Sequence, residues 1–158
     1  MNLTIRDSRP EDADGKGYVH YTSWQETYPG LVDPEYLSRM RLERCQDLAR
    51  RWPERTIVAE LEGKIVGFSC YGVNFSGQQE VFGLYLLKEA QGLGIGRRLM
   101  DAAMQKLDAD QPIYLWVLKG NEHAIGFYEH YGFRLNGTEQ EILLGTPNTE
   151  LRMVFCRP

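Results

Sequence analysis

Residues 81–100, VFGLYLLKEAQGLGIGRRLM, join an apolar run of β character to a glycine-rich turn, Gln91-Gly92-Leu93-Gly94-Ile95-Gly96, and then to an amphipathic helical segment. A helix N-terminus leaves backbone N–H groups without acceptors and carries a partial positive charge, so glycines just ahead of it let a phosphate approach closely. The order strand, glycine turn, helix therefore points to a phosphorylated ligand.

Spacing excludes the two commonest phosphate loops. A dinucleotide fingerprint G-x-G-x-x-G begun at Gly92 needs glycine at position 97, and begun at Gly94 it needs one at 99; the chain has Arg97 and Leu99. A nucleotide P-loop needs Gly-Lys-Ser/Thr to close the turn, and Gly96 is followed by Arg97-Arg98. What remains is Gln-x-x-Gly-x-Gly between strand and helix.

Outward from this turn, residues 56–62 and 64–73 read as strands joined by a turn at Glu62-Gly63-Lys64, and 78–87 as the strand that returns after Phe75-Ser76-Gly77. Residues 94–107 place Ile95, Leu99, Ala102/Ala103 and Leu107 at helical spacing. A strand at 113–118, a helix at 122–131 and closing strands at 133–139 and 150–156 follow. At the N-terminus, Leu3 and Ile5 alternate with polar neighbours in a first strand ending at Arg6-Asp7, and a helix capped by Ser8 or Asp12 runs to about Thr27 before Pro29-Gly30 breaks it. A second helical segment starts near Pro34, is irregular around Arg39, and ends before Pro53.

This order predicts an α+β fold: a mixed, mostly antiparallel central sheet with helices on both faces. The parallel step from the strand at 78–87 to that at 113–118 requires a crossover, which the helix at 94–107 supplies.

The 158 residues fit a single domain spanning 1–158, and 42% hydrophobic content fills one core. No apolar run approaches the ~20 residues of a membrane span, and no basic segment followed by an apolar stretch opens the chain. Cys45, Cys70 and Cys156 form neither a CxxC pair nor an even disulfide framework, which suits a reducing compartment. These readings lead to the expectation of a cytoplasmic protein with no membrane partner. A net charge of −4 argues against nucleic acid, whose phosphates demand a basic surface. The six arginines Arg39, Arg41, Arg44, Arg50, Arg51 and Arg55 read as the solvated face of an amphipathic helix with Leu42, Cys45 and Leu48/Ala49 turned inward; an acidic docking partner is the alternative. No His/Cys/Asp/Glu grouping has ligand spacing, so no metal is expected.

The glycine turn resembles the acetyl-CoA pyrophosphate loop of the GCN5-related N-acetyltransferases (GNAT), Gln/Arg-x-x-Gly-x-Gly/Ala after an apolar strand. The strand residues Leu115-Trp116-Val117 and then Asn121, Ala124, Phe127, Tyr128, Gly132 and Phe133 resemble that family's second signature, Asn followed by Ala-x-x-Phe-Tyr-x-x-x-Gly-Phe. The resemblance covers roughly residues 55–156, and Trp24-Gln25-Glu26-Thr27-Tyr28-Pro29-Gly30 is similar to an opening common in bacterial members.

The resemblance implies the GNAT fold, in which the strands at 78–87 and 113–118 splay and acetyl-CoA enters the V between them. It implies transfer of an acetyl group to a primary amine by direct attack in a ternary complex. Acetyl-CoA would pair with the main chain of Leu84, Tyr85 and Leu86, and its pyrophosphate would be wrapped by Gln91, Gly92, Leu93, Gly94, Ile95, Gly96 and Arg97, with Asn121 also in contact. Arg97 equally suits a solvated helix face, and Asn121 a helix N-cap.

Such a transfer needs a base for the ammonium, a donor for the expelled thiolate and a donor at the carbonyl oxygen. By resemblance Tyr128 is the acid, Glu80 a base acting through ordered water, and a backbone N–H near Leu86 the carbonyl donor. A core aromatic is the ordinary alternative for Tyr128, an exposed strand carboxylate for Glu80, and some relatives use no dedicated base. His20, His123 and His130 titrate in the right range but match no catalytic position.

Trp24, Tyr28 and Tyr71 are expected at the acceptor wall by analogy, with core packing as their alternative. The acidic composition leans toward a cationic acceptor, either a small molecule or a peptide or protein amine. Family members often dimerise, and exposed edges of the C-terminal strands offer a place for it. Two alternatives stay open: a noncatalytic acyl-CoA-binding sensor or interaction domain, and a same-fold enzyme using another acyl-CoA or acceptor.

Overall fold

The computed structural model describes residues 1–156. Seven strands form one sheet: β1 (Leu3–Asp7), β2 (Thr56–Leu61), β3 (Lys64–Val73), β4 (Gln79–Leu86), β5 (Ile113–Leu118), β6 (Arg134–Leu144) and β7 (Thr146–Phe155). Five helices accompany them: α1 (Ala13–Thr27), α2 (Pro34–Arg39), α3 (Leu42–Arg51), α4 (Ile95–Gln105) and α5 (Glu122–Tyr131). The spatial order is β1-β2-β3-β4-β5-β7-β6, and every pair is antiparallel except β4–β5. The α+β prediction and its single parallel crossover through α4 hold.

The parallel pair is short. β4 and β5 meet only at Gln79 with Ile113 and at Glu80 with Tyr114. Beyond those rungs the strands part, so the splay implied by the family resemblance is present. β4 is further bent by a bulge, since Cys70 opposes Gly83 and Tyr71 opposes Val81, leaving Phe82 without a β3 partner.

Neighbouring residues of a strand face opposite sides of the sheet, and β3 shows what each side meets. Ser69 donates its hydroxyl to the Leu99 carbonyl of α4 at 3.0 Å, whereas a cavity on the other side brings Cys70 together with Lys16 of α1 and Cys45 of α3. Helices therefore cover both faces. Under α4 the helical spacing of Ile95, Leu99 and Ala103 is fully buried with Met100; each large member of that row contributes about 2 kcal/mol by leaving water. A second apolar cluster, including Ile113, Leu115, Ile125, Phe133 and Met153, fixes α5 against β5 and β7. α1 and α3 approach backbone to backbone: a Cβ at Gly17 would fall inside the α3 main chain at Gln46.

Several local expectations change. Asp12 stands at the N-cap of α1, as one of the two expected residues, but its side chain makes no capping hydrogen bond. Asp12 accepts instead from the Arg6 guanidinium at 2.8 and 2.9 Å and from the Arg9 N–H at 2.7 Å, a network that holds its carboxyl below the usual carboxylate range through the Arg6 hydrogen bonds above all. The irregularity expected around Arg39 is a full break that divides the segment into α2 and α3, and Leu48 is exposed although Cys45 is buried. The closing strands run on through residues 140–149 as a long hairpin, because Gly145 adopts φ +80° at its turn.

Candidate active site

The glycine turn has the local geometry its sequence implies. Gly92 and Gly94 take φ of +79° and +78°, a left-handed conformation that side chains resist, and a Cβ at either would point into open space. Gly94 is the N-cap of α4, whose first main-chain hydrogen bond runs from the Arg98 N–H to the Gly94 carbonyl at 3.3 Å. The N–H groups of Ile95, Gly96 and Arg97 thus have no acceptor within the helix. An open cradle with a row of free donors fits a pyrophosphate.

That cradle forms one end of a cavity of about 570 Å³ in the gap between β4 and β5. Of the residues expected to meet acetyl-CoA, Leu84, Tyr85, Leu86, Gln91, Gly92, Gly94, Ile95, Gly96, Arg97 and Asn121 line it. Leu93 does not, and lies half exposed. On the other edge of β4, the Leu87 N–H donates to the Val66 carbonyl of β3 at 2.9 Å. Alternation along an antiparallel ladder then turns the Leu86 N–H away from β3 and into the gap.

Asn121 caps α5 by accepting from the Ala124 N–H at 3.3 Å. Tyr128 follows seven residues later, two turns along the same helix face, so the cap and the tyrosine reach one cavity together. Phe127 and Phe133 pack edge-on against the Tyr128 ring, at 5.5 and 6.1 Å between centroids. Burial pushes its phenol well above the ordinary tyrosine value. Tyr128 is therefore protonated at neutral pH, and among the described residues its hydroxyl has no hydrogen-bond partner.

Trp24 and Tyr28, expected at the acceptor wall, line the same cavity with rings 4.7 Å apart. The Trp24 indole N–H is buried without a partner among the described residues. Glu150 of β7 joins them and is the one carboxylate among the described residues lining this cavity. Tyr28 is pushed up to about 12, first by burial and then by the Glu150 charge. Sequence reasoning missed Glu150, although the alternation Glu150-Leu151-Arg152-Met153 set it on the face away from the core residue Met153.

Two expected residues lie elsewhere. Glu80 is buried, accepting from Arg152 Nη1 at 2.9 Å and Asn74 Nδ2 at 3.0 Å, and lines neither cavity described here. Tyr71 lines a second cavity of about 530 Å³ between the β3–β4 surface and α1 and α3. The two cavities adjoin at Phe82, Gly83 and Tyr85, which line both. His123 lines the first cavity, His20 the second, and His130 is exposed outside both. Among the described residues no group of three or more His, Cys, Asp or Glu could hold a metal ion, and no helix is long and apolar enough to cross a membrane.

Residues 18–133 match the family model described as the acetyltransferase (GNAT) family. The uncharacterized N-acetyltransferase YuaI of Bacillus subtilis (strain 168) is 29% identical over 92% of this chain and 94% of its own. The peptidyl-lysine N-acetyltransferase YjaB of Escherichia coli (strain K12) is 27% identical over 98% of each chain, and its apo solution structure aligns with a TM-score of 0.72 at 29% identity over 98% of both chains. The fold is also that of the PaiA N-acetyltransferase of Thermoplasma acidophilum, solved in complex with coenzyme A: TM-score 0.78, 22% identity, 99% of this chain and 100% of that one.

Proposed function

Since the chain belongs to the acetyltransferase (GNAT) family and is an N-acetyltransferase, we propose that its first cavity takes acetyl-CoA and delivers the acetyl group to a primary amine by direct attack. The observation that carries this reading is the unpartnered Tyr128 hydroxyl in the same cavity as the free N–H groups of the glycine turn.

In this reading the donors of residues 92–97 hold the pyrophosphate, with the Arg97 charge beside them, and the outward main chain of residues 84–86 aligns the arm that carries the thioester. With acetyl-CoA bound, a C–N bond to the amine forms as the thioester C–S bond breaks and sulfur leaves with the electron pair. The Leu86 N–H donates to the carbonyl oxygen where negative charge develops.

An aliphatic amine with pKa about 10.4 arrives protonated at neutral pH. Glu150, which lines the cavity and among the described residues accepts only from the neutral Gln140 amide at 2.8 Å, takes that proton. It displaces Glu80 from the role that the family pattern suggests, because the Glu80 carboxylate lies outside the cavity and is engaged by the Arg152 cation and Asn74. Tyr128 gives its proton to the departing sulfur. As the C–S bond breaks the nitrogen sheds its second proton, which restores the Tyr128 phenol through solvent, and Glu150 passes its own proton to solvent; the products are an acetamide, a free thiol and one net proton. Trp24 and Tyr28 flank the incoming amine.

The test pairs calorimetric titration with acetyl-CoA and coenzyme A against a thiol-release screen over amines, polyamines, amino acids and lysine peptides. Saturable binding with release for one acceptor class supports the reading. Binding without release for any amine favours a sensor, and no binding removes the assignment of the glycine turn.

A further inference from the structure

Lys16, His20, Trp24 and Tyr28 succeed one another at intervals of four residues along α1 and its C-cap, so they lie on one helix face, a turn apart. The row is in contact: His20 and Trp24 rings lie 6.0 Å apart, Trp24 and Tyr28 4.7 Å, and His20 stacks on Tyr85 at 5.5 Å. Its two ends belong to different cavities, Trp24 and Tyr28 to the first, Lys16 and His20 to the second. One helix face thus overlies both cavities where they adjoin.

The far end of this row is chemically unfinished. Lys16 is only 3% exposed, and its one hydrogen bond among the described residues is a long one, 3.4 Å to the Trp52 carbonyl. An ammonium carries three donors, and burying a charge without a partner is costly. The surroundings are apolar, with Phe68, Trp52, Val73 and Phe75 among the lining residues. The one carboxylate lining the second cavity among the described residues, Glu54, is exposed, and Arg55 beside it is another cation. A polyamine would need acidic partners along its length and meets cations here. An apolar body ending in an anion would meet partners throughout.

We propose that the acceptor is a small amphiphilic amino acid of extended form, with its primary amine at Tyr128, an apolar body along His20, Trp24 and Phe82, and a carboxylate paired with Lys16. This rests on the first cavity being the transfer site. Eight residues of helix set Lys16 about 12 Å from Trp24, which flanks the amine, so an acceptor that reaches both has a length of that order. A volume of about 530 Å³ lies within the range of small-molecule sites. The carboxylate completes the donors that the fold leaves open on Lys16.

The experiment measures thiol release with straight-chain ω-aminoalkanoic acids of increasing length, the matching alkylamines lacking the carboxylate, spermidine and a lysine peptide. Wild type, Lys16→Met and Lys16→Arg are compared, and acetyl-CoA binding is measured for each by calorimetry. In wild type, kcat/KM should rise with chain length and exceed that of the matched alkylamine by about tenfold or more, the scale of one charge-assisted hydrogen bond. Lys16→Met should abolish that preference, chiefly through KM, and Lys16→Arg should retain part of it.

Equal use of acid and alkylamine, a preference that survives in Lys16→Met, or selective turnover of spermidine or the peptide would overturn the inference. So would failure of the whole series to react. If wild type still binds acetyl-CoA in those cases, the transfer-site reading stands by itself; if it does not bind, both fall.

Discussion

Arg152 and Glu80 are buried partners at the point where the sheet divides. Arg152 Nη1 lies 2.9 Å from Glu80 Oε1, with side chains 7% and 9% exposed, and the guanidinium sits 4.7 Å from the Tyr114 ring and 4.5 Å from the Trp116 ring. Arg152 also donates to Gln78 at 3.0 Å. The contact ties β7 to β4 across β5 beside the two rungs where β4 and β5 pair. Such a pair gains little over an apolar equivalent, but removing one member strands a buried charge.

Glu80→Gln should therefore act on stability. A loss of about 3 kcal/mol is expected, a fall in Tm on the order of 10 °C for a chain of this size, while kcat of the folded enzyme at low temperature changes little. Calorimetric melting beside steady-state turnover checks this. Unchanged melting with collapsed turnover would give Glu80 back the role of base.

Tyr128→Phe keeps the ring and its edge-on packing but removes the donor. Turnover should fall about a hundredfold, a typical contribution of a positioned acid, with acetyl-CoA affinity nearly unchanged. Equal losses in both, or in neither, would refute the acid role.

Glu150→Gln should depress turnover at neutral pH and recover it as the pH rises toward the acceptor's own pKa of about 10.4, where the amine no longer needs a base. The pH profile of kcat/KM is the measurement. A uniform loss at every pH would make Glu150 a positioning residue.

Gly94→Ala forces a side chain into φ +78° at the entrance to α4. The strain is about 1 to 2 kcal/mol, and the methyl group projects into the open cradle. Titration should show acetyl-CoA affinity falling tenfold or more, beyond what strain in the free protein explains.

Asp12 links the fold to acid. Its folded value lies below the ordinary 3.8, chiefly through the Arg6 hydrogen bonds, so its contribution is fully present above that value and is lost as pH falls through the depressed one. Denaturant titrations of wild type and Asp12→Asn should differ at pH 6 and converge as acid is added. A gap that stays constant on acidification would place the effect in packing instead.

The glycine turn and the pair Asn121 and Tyr128 were legible in the chain because each depends on local geometry: positive φ in one case, a seven-residue helical interval in the other. Glu150 was not, since alternation assigns a face but says nothing of which face borders a gap. Lys16 was hidden for a related reason. A lysine on a helix ordinarily reads as solvated, and only the approach of α3 at Gly17, with the chain that follows it to Trp52, covers it. The hairpin through Gly145 runs longer than its sequence predicts because its residues lack apolar alternation; β6 is almost wholly exposed, so nothing selects one face of it.

The two rungs between β4 and β5 also set the mechanics of the molecule. With so few main-chain bonds across the seam, the sheet behaves as two stiff plates, β1 to β4 and β5 to β6, joined along a short hinge that Arg152 pins from one side. Anything bridging the open part of the seam works as a clasp. Ligand occupancy should thus be read in the slowing of amide exchange along both facing strand edges.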